Sequence, residues 1–367
     1  MAIASRIGLT LFIVLGSVCT TSCTQDIQPS DQPAQNSPEV INATPLPTVI
    51  LAAKPLPAED TEAWIKAQFL NGLQQQGDDV STQGLWIQSD NQVLSHHQSS
   101  VPLSVASITK VGTTLAALHT LGPNYRFVTQ IGIQGDLVNG ALNGNLVVKG
   151  GDDPLLVWED VFAIAQLLEQ RGIKKINGKI LISQPFVMNF ETGEALAGSL
   201  FKQAFNSNTW PLEALKQFES LTQPQAQPQI SIAGEVEFTQ EVPSDTRWLV
   251  QHSSLPLVEL LKRMNRFSNN PMADQIANHL GGGAKMAEIV RSLTQLPDPD
   301  LQFMNGSGLG VENRITPQGT TLMFQTLSNL LKSQGLSLGD VLTIVGQDES
   351  ILDSRPLSKA SPLNLEP

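Results

Sequence analysis

Ser107 and Lys110 stand three positions apart in the stretch SVASITKVGTTLAALHTLG, Ser104 to Gly122. On a helix that spacing brings both side chains to one face, within reach of each other. A serine beside a lysine can serve as nucleophile and base if the amine is neutral. An ordinary lysine titrates near 10.4, so neutrality at pH 7 requires a fall of about three pKa units, roughly 4 kcal/mol. Burial among hydrogen-bonding groups can supply that fall. The pairing is not unique, because Ser199 and Lys202 repeat it in GSLFKQ. No companion motif follows the second pair at useful spacing, so the first is the candidate.

Such a pair needs a Ser-x-Asn partner. The literal SDN beginning at Ser89 precedes the nucleophile and sits where a hairpin turn is expected, a place that favours Asp and Asn for backbone reasons. SNN, Ser268 to Asn270, lies between two predicted helices. Its serine can relay a proton to a leaving amine, and Asn270 can orient Lys110 and a substrate amide. A polar inter-helix loop reads equally well from these residues alone. Other nucleophile systems fit worse. The sequence has no HExxH, and both cysteines, Cys19 and Cys23, lie near the N-terminus. His96 and His97 read as surface residues, and His119 and His279 as helix filling. Ser307 in NGSGLG lacks the glycine two positions before it that a nucleophile elbow requires, so that loop supports a site or a turn.

The elements that must position these groups follow from periodicity. Ile65, Phe69 and Leu73 recur at helical spacing. Two short apolar runs around Ser89-Asp90-Asn91 predict a hairpin. Ile108, Val111, Leu115 and Leu118 line one face of a helix that Gly122-Pro123 stops. From residue 130 the chain turns strand-like and glycine-punctuated, with a helix over Trp158 to Arg171 and period-two alternation at Ile230, Ile232, Val236 and Phe238. Helices return from Ser254 onward. Residues 130–245 therefore read as an inserted α+β unit, with 59–129 and 246–367 forming one discontinuous domain.

The 367 residues carry 34 acidic and 22 basic side chains, a net charge of −12, which argues against a nucleic-acid partner. Residues 1–23 have one early positive charge, Arg6, then an apolar run too short to span a bilayer, so they read as an export signal. TTSC resembles a lipoprotein-processing box, which makes Cys23 a lipidation candidate. The only membrane contact expected is this N-terminal anchor. Residues 24–58, rich in Pro, Gln, Ser and Asn, read as a disordered linker. The expected location is the periplasm or cell envelope.

Taken in order, SVASITK, LNGNLVVKGGDDPLL, HSSLPLVELLKRMNRFSNNPMADQI, MNGSGLGVENRITP and VLTIVGQD resemble the serine D-alanyl-D-alanine carboxypeptidase/endopeptidases of the penicillin-binding-protein-4 type. The resemblance implies an α+β fold: a penicillin-binding transpeptidase/β-lactamase-like domain interrupted by an α+β insert. It implies that Ser107 is acylated, that Lys110 is the base, and that Ser268 and Asn270 form the second motif. Peptidoglycan stem peptides would be substrates and β-lactams covalent inhibitors, with no cofactor and no metal. The chain departs from the pattern at its far end. No Lys-Thr-Gly follows VGQD, and Lys359 in SKAS is a poor substitute. The resemblance therefore also implies a domain truncated at its C-terminus, without that strand's cation and one oxyanion donor; loss of one such donor typically costs a factor of roughly a hundred to a thousand. A non-catalytic, peptidoglycan-binding envelope lipoprotein of the same descent is the alternative.

Overall fold

The computed structural model describes residues 23–26, 63, 67, 70–75, 77, 79–89, 92–222, 226–344 and 347–351. The export signal up to residue 22, the linker from 27 to 58, the Asp90-Asn91 turn and Lys359 lie outside these residues. Cα packing divides the chain into two compact units. One contains Val40–Gly122 and Leu261–Pro367, the other Pro123–Leu260.

The first unit is built around helix α1, Thr109–Leu121. Its Leu115, Ala116, Ala117 and Leu118 are fully buried. All ten residues from Thr109 to Leu118 are buried, polar ones included, because α1 is covered by α6 (Asn270–His279), α7 (Gly283–Thr294) and α8 (Pro317–Ser333). Each fully buried leucine contributes about 1.5–3 kcal/mol of hydrophobic stabilisation. Strands β2 (Leu85–Ser89) and β3 (Gln92–His97) form the hairpin, with Leu85 opposite His97. His96 is exposed, while the His97 ring lies 3.2 Å from the Val80 carbonyl oxygen. A small sheet joins β4 (Leu103–Ser104) to β13 (Arg314–Ile315) and β12 (Leu301–Gln302), and β4 delivers the chain to Ser107.

The second unit is a twisted sheet with helices packed on it. β5 (Val128–Val138) and β6 (Ala141–Lys149) are joined at Asn139-Gly140, both with positive φ, as a tight hairpin requires. β6 pairs in parallel with β7 (Lys175–Ile176) and β8 (Ile180–Ser183). These in turn pair with β9 (Ser231–Ile232) and β10 (Val236–Thr239). Helix α2, Trp158–Gln170, lays Val161, Phe162, Ala165 and Leu168 into a core shared with Ile131, Val148, Ile182 and Val250. Phe162 meets Trp210 at 4.4 Å and Phe218 at 5.6 Å between ring centroids.

Two features differ from the sequence reading. β11, Arg247–Ser253, pairs with β5 and belongs to this sheet, although 130–245 leaves it out. Its partner strand, not its own composition, assigns it. Cys23–Asp26 forms strand β1 against β11, where the linker was expected to begin. Backbone pairing to an open sheet edge needs no apolar alternation, so composition gives no sign of it.

Near the junction of β11 and α2, His252 is buried with its Nε2 3.5 Å from Asp153 and 3.9 Å from Asp160. Burial by itself lowers the pKa of this imidazole, but the Asp153 and Asp160 carboxylates outweigh it and the net direction is upward.

Candidate active site

Ser107 sits in the short 3-10 turn Ala106–Ile108 that feeds directly into α1. Ala106 holds φ +44°, a left-handed conformation that costs a non-glycine residue about 1–3 kcal/mol. Gly308 packs against that kink. It has φ +80°, and a Cβ there would lie 1.9 Å from the Ala106 carbonyl oxygen. The turn leaves Ser107 exposed while Lys110, one helical turn on, is 1% exposed.

The Lys110 ammonium points back along the helix and donates three hydrogen bonds. They run 3.1 Å to Ser107 Oγ, 2.7 Å to Asn270 Oδ1 and 2.8 Å to the Ser307 carbonyl oxygen. Ser107 Oγ lies 2.8 Å from Ser268 Oγ, either of which can donate. Four polar side chains from two distant stretches thus meet at one point. Burial pushes the Lys110 pKa from 10.5 down to about 8, against the opposing pull of the Asp274 carboxylate.

Local sequence explains how Ser268 and Asn270 arrive there. The Asn269 side chain accepts from Met272 N–H at 2.9 Å and caps α6, while Pro271 occupies its first turn. Asn270 is therefore locked at the helix start. Ser268, just before the cap, adopts φ +48°. Two strained residues, Ala106 and Ser268, flank the same cluster. The glycine-rich loop is held by two groups the sequence reading did not single out. Asp274 Oδ1 accepts from the Gly306 and Ser307 amides at 3.0 and 2.8 Å. Buried Asn313 accepts from Met304 and Asn305 amides and donates to the Leu309 and Gly310 carbonyls. Asp274 lies four residues after Asn270, on the same helix face, and that spacing is the signal that could have exposed it.

The second Ser-Lys pair is not assembled in this way. Lys202 Nζ donates to the Gly234 carbonyl at 2.9 Å, and Ser199 Oγ accepts a 3.4 Å bond from Gln203. Ser89 ends a hairpin strand. Among the described residues, no group of three or more His, Cys, Asp or Glu side chains is arranged to hold a metal ion.

The arrangement can carry out nucleophilic acyl transfer. An open hydroxyl touches a sealed amine poised to lose its proton and a second hydroxyl able to relay one. Residues 66–189 and 198–363 match the D-Ala-D-Ala carboxypeptidase 3 (S13) peptidase family. Over 119 residues the chain is 30% identical to the D-alanyl-D-alanine carboxypeptidase DacB of Haemophilus influenzae, a match spanning 32% of this chain and 25% of that protein. A penicillin G-acylated predatory endopeptidase of Bdellovibrio bacteriovorus, solved with an immunity protein, superposes with a TM-score of 0.59 at 26% identity over 71% of each chain. Penicillin-binding protein 4 of Haemophilus influenzae shares the fold, with a TM-score of 0.55 at 19% identity over 74% of this chain and 80% of that one.

Proposed function

From the premise that this chain belongs to the D-Ala-D-Ala carboxypeptidase 3 (S13) family, of the penicillin-binding-protein-4 type, we propose that it cleaves peptidoglycan peptides through an acyl-enzyme on Ser107. Neutral Lys110 takes the Ser107 proton as Oγ attacks the carbonyl between two D-alanines. Ser268 passes a proton to the leaving amine, the C–N bond breaks, and terminal D-Ala departs. Water then hydrolyses the ester and frees Ser107. Asn270 holds Lys110 and binds the substrate amide. In a β-lactam the same attack opens the ring and the acyl group stays on the serine. The observation that carries this reading is the contact of exposed Ser107 Oγ with a lysine whose pKa burial lowers to about 8.

The test is labelling with a fluorescent penicillin. Wild-type protein should form a covalent adduct and Ser107→Ala none. Equal labelling of both ends the role of Ser107.

A second reading is favoured by the TTSC stretch, which resembles a lipoprotein-processing box ending at Cys23. Here the chain is a peptidoglycan-binding envelope lipoprotein without turnover, exported by residues 1–23 and anchored at Cys23. It predicts sedimentation with cell-wall sacculi, no penicillin adduct and no released D-Ala. D-Ala release above the blank rate excludes it.

A further inference from the structure

The second unit contains a cleft of about 770 Å³ that takes no part in this chemistry. One wall is helix α3, Glu194–Ala204, which turns Ser199 and Lys202 into it. The other is the β9–β10 stretch. Residues of both parities line it there, Ser231 with Ile232 and Glu235 with Val236, so the cleft runs along the strand's edge and not over one face. β9 pairs only with β7, and β10 only with β8, among the described residues. The edge is therefore open on the cleft side.

The same edge is already used once, just upstream. Ile230 N–H donates to the Phe205 carbonyl at 2.9 Å, and Ser207 N–H to the Pro228 carbonyl at 2.9 Å. The chain at Phe205–Ser207 makes a single antiparallel β-bridge there, Asn206 to Gln229, and the cleft continues the groove beyond it. Charges of both signs stand over the groove. Lys202 Nζ spends one donor on Gly234 and lies 3.8 Å from Glu235, whose side chain is 89% exposed. An ammonium has three donors, so Lys202 can still meet a carboxylate. Glu235 and Glu194 can meet an amine.

We propose that this cleft binds an extended peptide as a further strand on β9–β10, with Lys202 on a peptide carboxylate and Glu235 on a peptide amine. An open strand edge beside a helix is the geometry in which extended peptides dock. The occupant is a peptidoglycan stem peptide, which carries both charged groups, distinct from the one cleaved at Ser107. That identity rests on the functional reading above; the groove itself does not. On a polymer bearing many identical peptides, a second site raises the effective concentration at the first.

Hydrogen exchange of the full chain, with and without a soluble stem pentapeptide ending in D-Ala-D-Ala, tests this directly. Amides of residues 231–238 should exchange at least about fivefold more slowly with peptide. Ser107→Ala should keep that protection and Lys202→Glu should lose it. Should Lys202→Glu fail to fold, Glu235→Arg on its exposed position should weaken the protection by about fivefold through like-charge repulsion with the amine. Either variant should raise KM for sacculi by about tenfold with kcat and soluble-peptide KM unchanged. Absence of protection overturns the proposal, as does protection by peptide-free glycan chains in place of the peptide. A protein that shows the protection but takes no penicillin loses the catalytic reading and keeps the groove.

Discussion

Replacing Lys110 by methionine should separate activity from stability, and do so in a pH-dependent way. The methionine nearly matches the buried stem but cannot take a proton. Penicillin labelling should fall by at least about a thousandfold, since the base is gone. Stability follows a different course. Folding moves the lysine pKa from 10.5 to about 8, so carrying the charged form inside costs about 3 kcal/mol. Below pH 8 the amine is charged in both the folded and unfolded chain, and that cost is fully present. Between pH 8 and 10.5 the unfolded chain binds more protons than the folded one, so the wild type gains stability as pH rises. Methionine removes the cost but leaves Ser107 Oγ, Asn270 Oδ1 and the Ser307 carbonyl without their donor, at about 1 kcal/mol each. At pH 7 the two effects nearly cancel. By pH 10.5 the wild type should lead the variant by about 3 kcal/mol more than at pH 7. Urea unfolding of both proteins across this range measures the difference, and other titrating groups cancel between them. A gap that does not change with pH would refute the claim that this lysine is held in a depressed-pKa site. Unchanged labelling would refute its role as base.

Three further outcomes follow from neighbouring geometry. Asn270→Asp places a carboxylate 2.7 Å from Lys110 Nζ, favours the ammonium, and should move half-maximal penicillin labelling upward by about one pH unit or more. Gly308→Ala forces a Cβ onto the Ala106 carbonyl in a left-handed position, so labelling should drop at least about tenfold and the thermal midpoint should fall, read by calorimetry. The raised pKa of His252 stabilises its unit fully below the unfolded value of 6.5, and that contribution is lost as pH climbs through the folded value. The stability lead of wild type over His252→Gln should therefore shrink as pH rises, measured by urea unfolding.

The local parts of this site are legible in the sequence. Ser107 and Lys110 declare themselves by helical spacing, and Asn269 with Pro271 marks a helix start just where Ser268 and Asn270 are needed. What brings Ser107 to Ser268, 161 positions away, is tertiary packing, and no periodicity encodes it. Only the ordered resemblance of several segments suggested it. The Ser307 contribution is a backbone carbonyl, which residue type cannot reveal. Asp274 acts through two backbone amides and through its charge, so it looks like an ordinary helix surface residue until the loop is in place. The core helices and the β5–β6 hairpin follow from apolar spacing and Asn-Gly. β1 and β11 do not, because a partner across the ladder assigns them.

The β2–β3 hairpin has a practical consequence. Among the described residues these two strands pair only with each other, and LWIQS and QVLSHH contain no Lys, Arg, Asp, Glu or Pro. Gatekeeping charges and prolines are what normally keep such ribbons from finding copies of themselves. In concentrated stocks this segment offers neighbouring molecules a ready template. Turbidity on storage should begin here, and a single lysine placed at Gln92 should delay it.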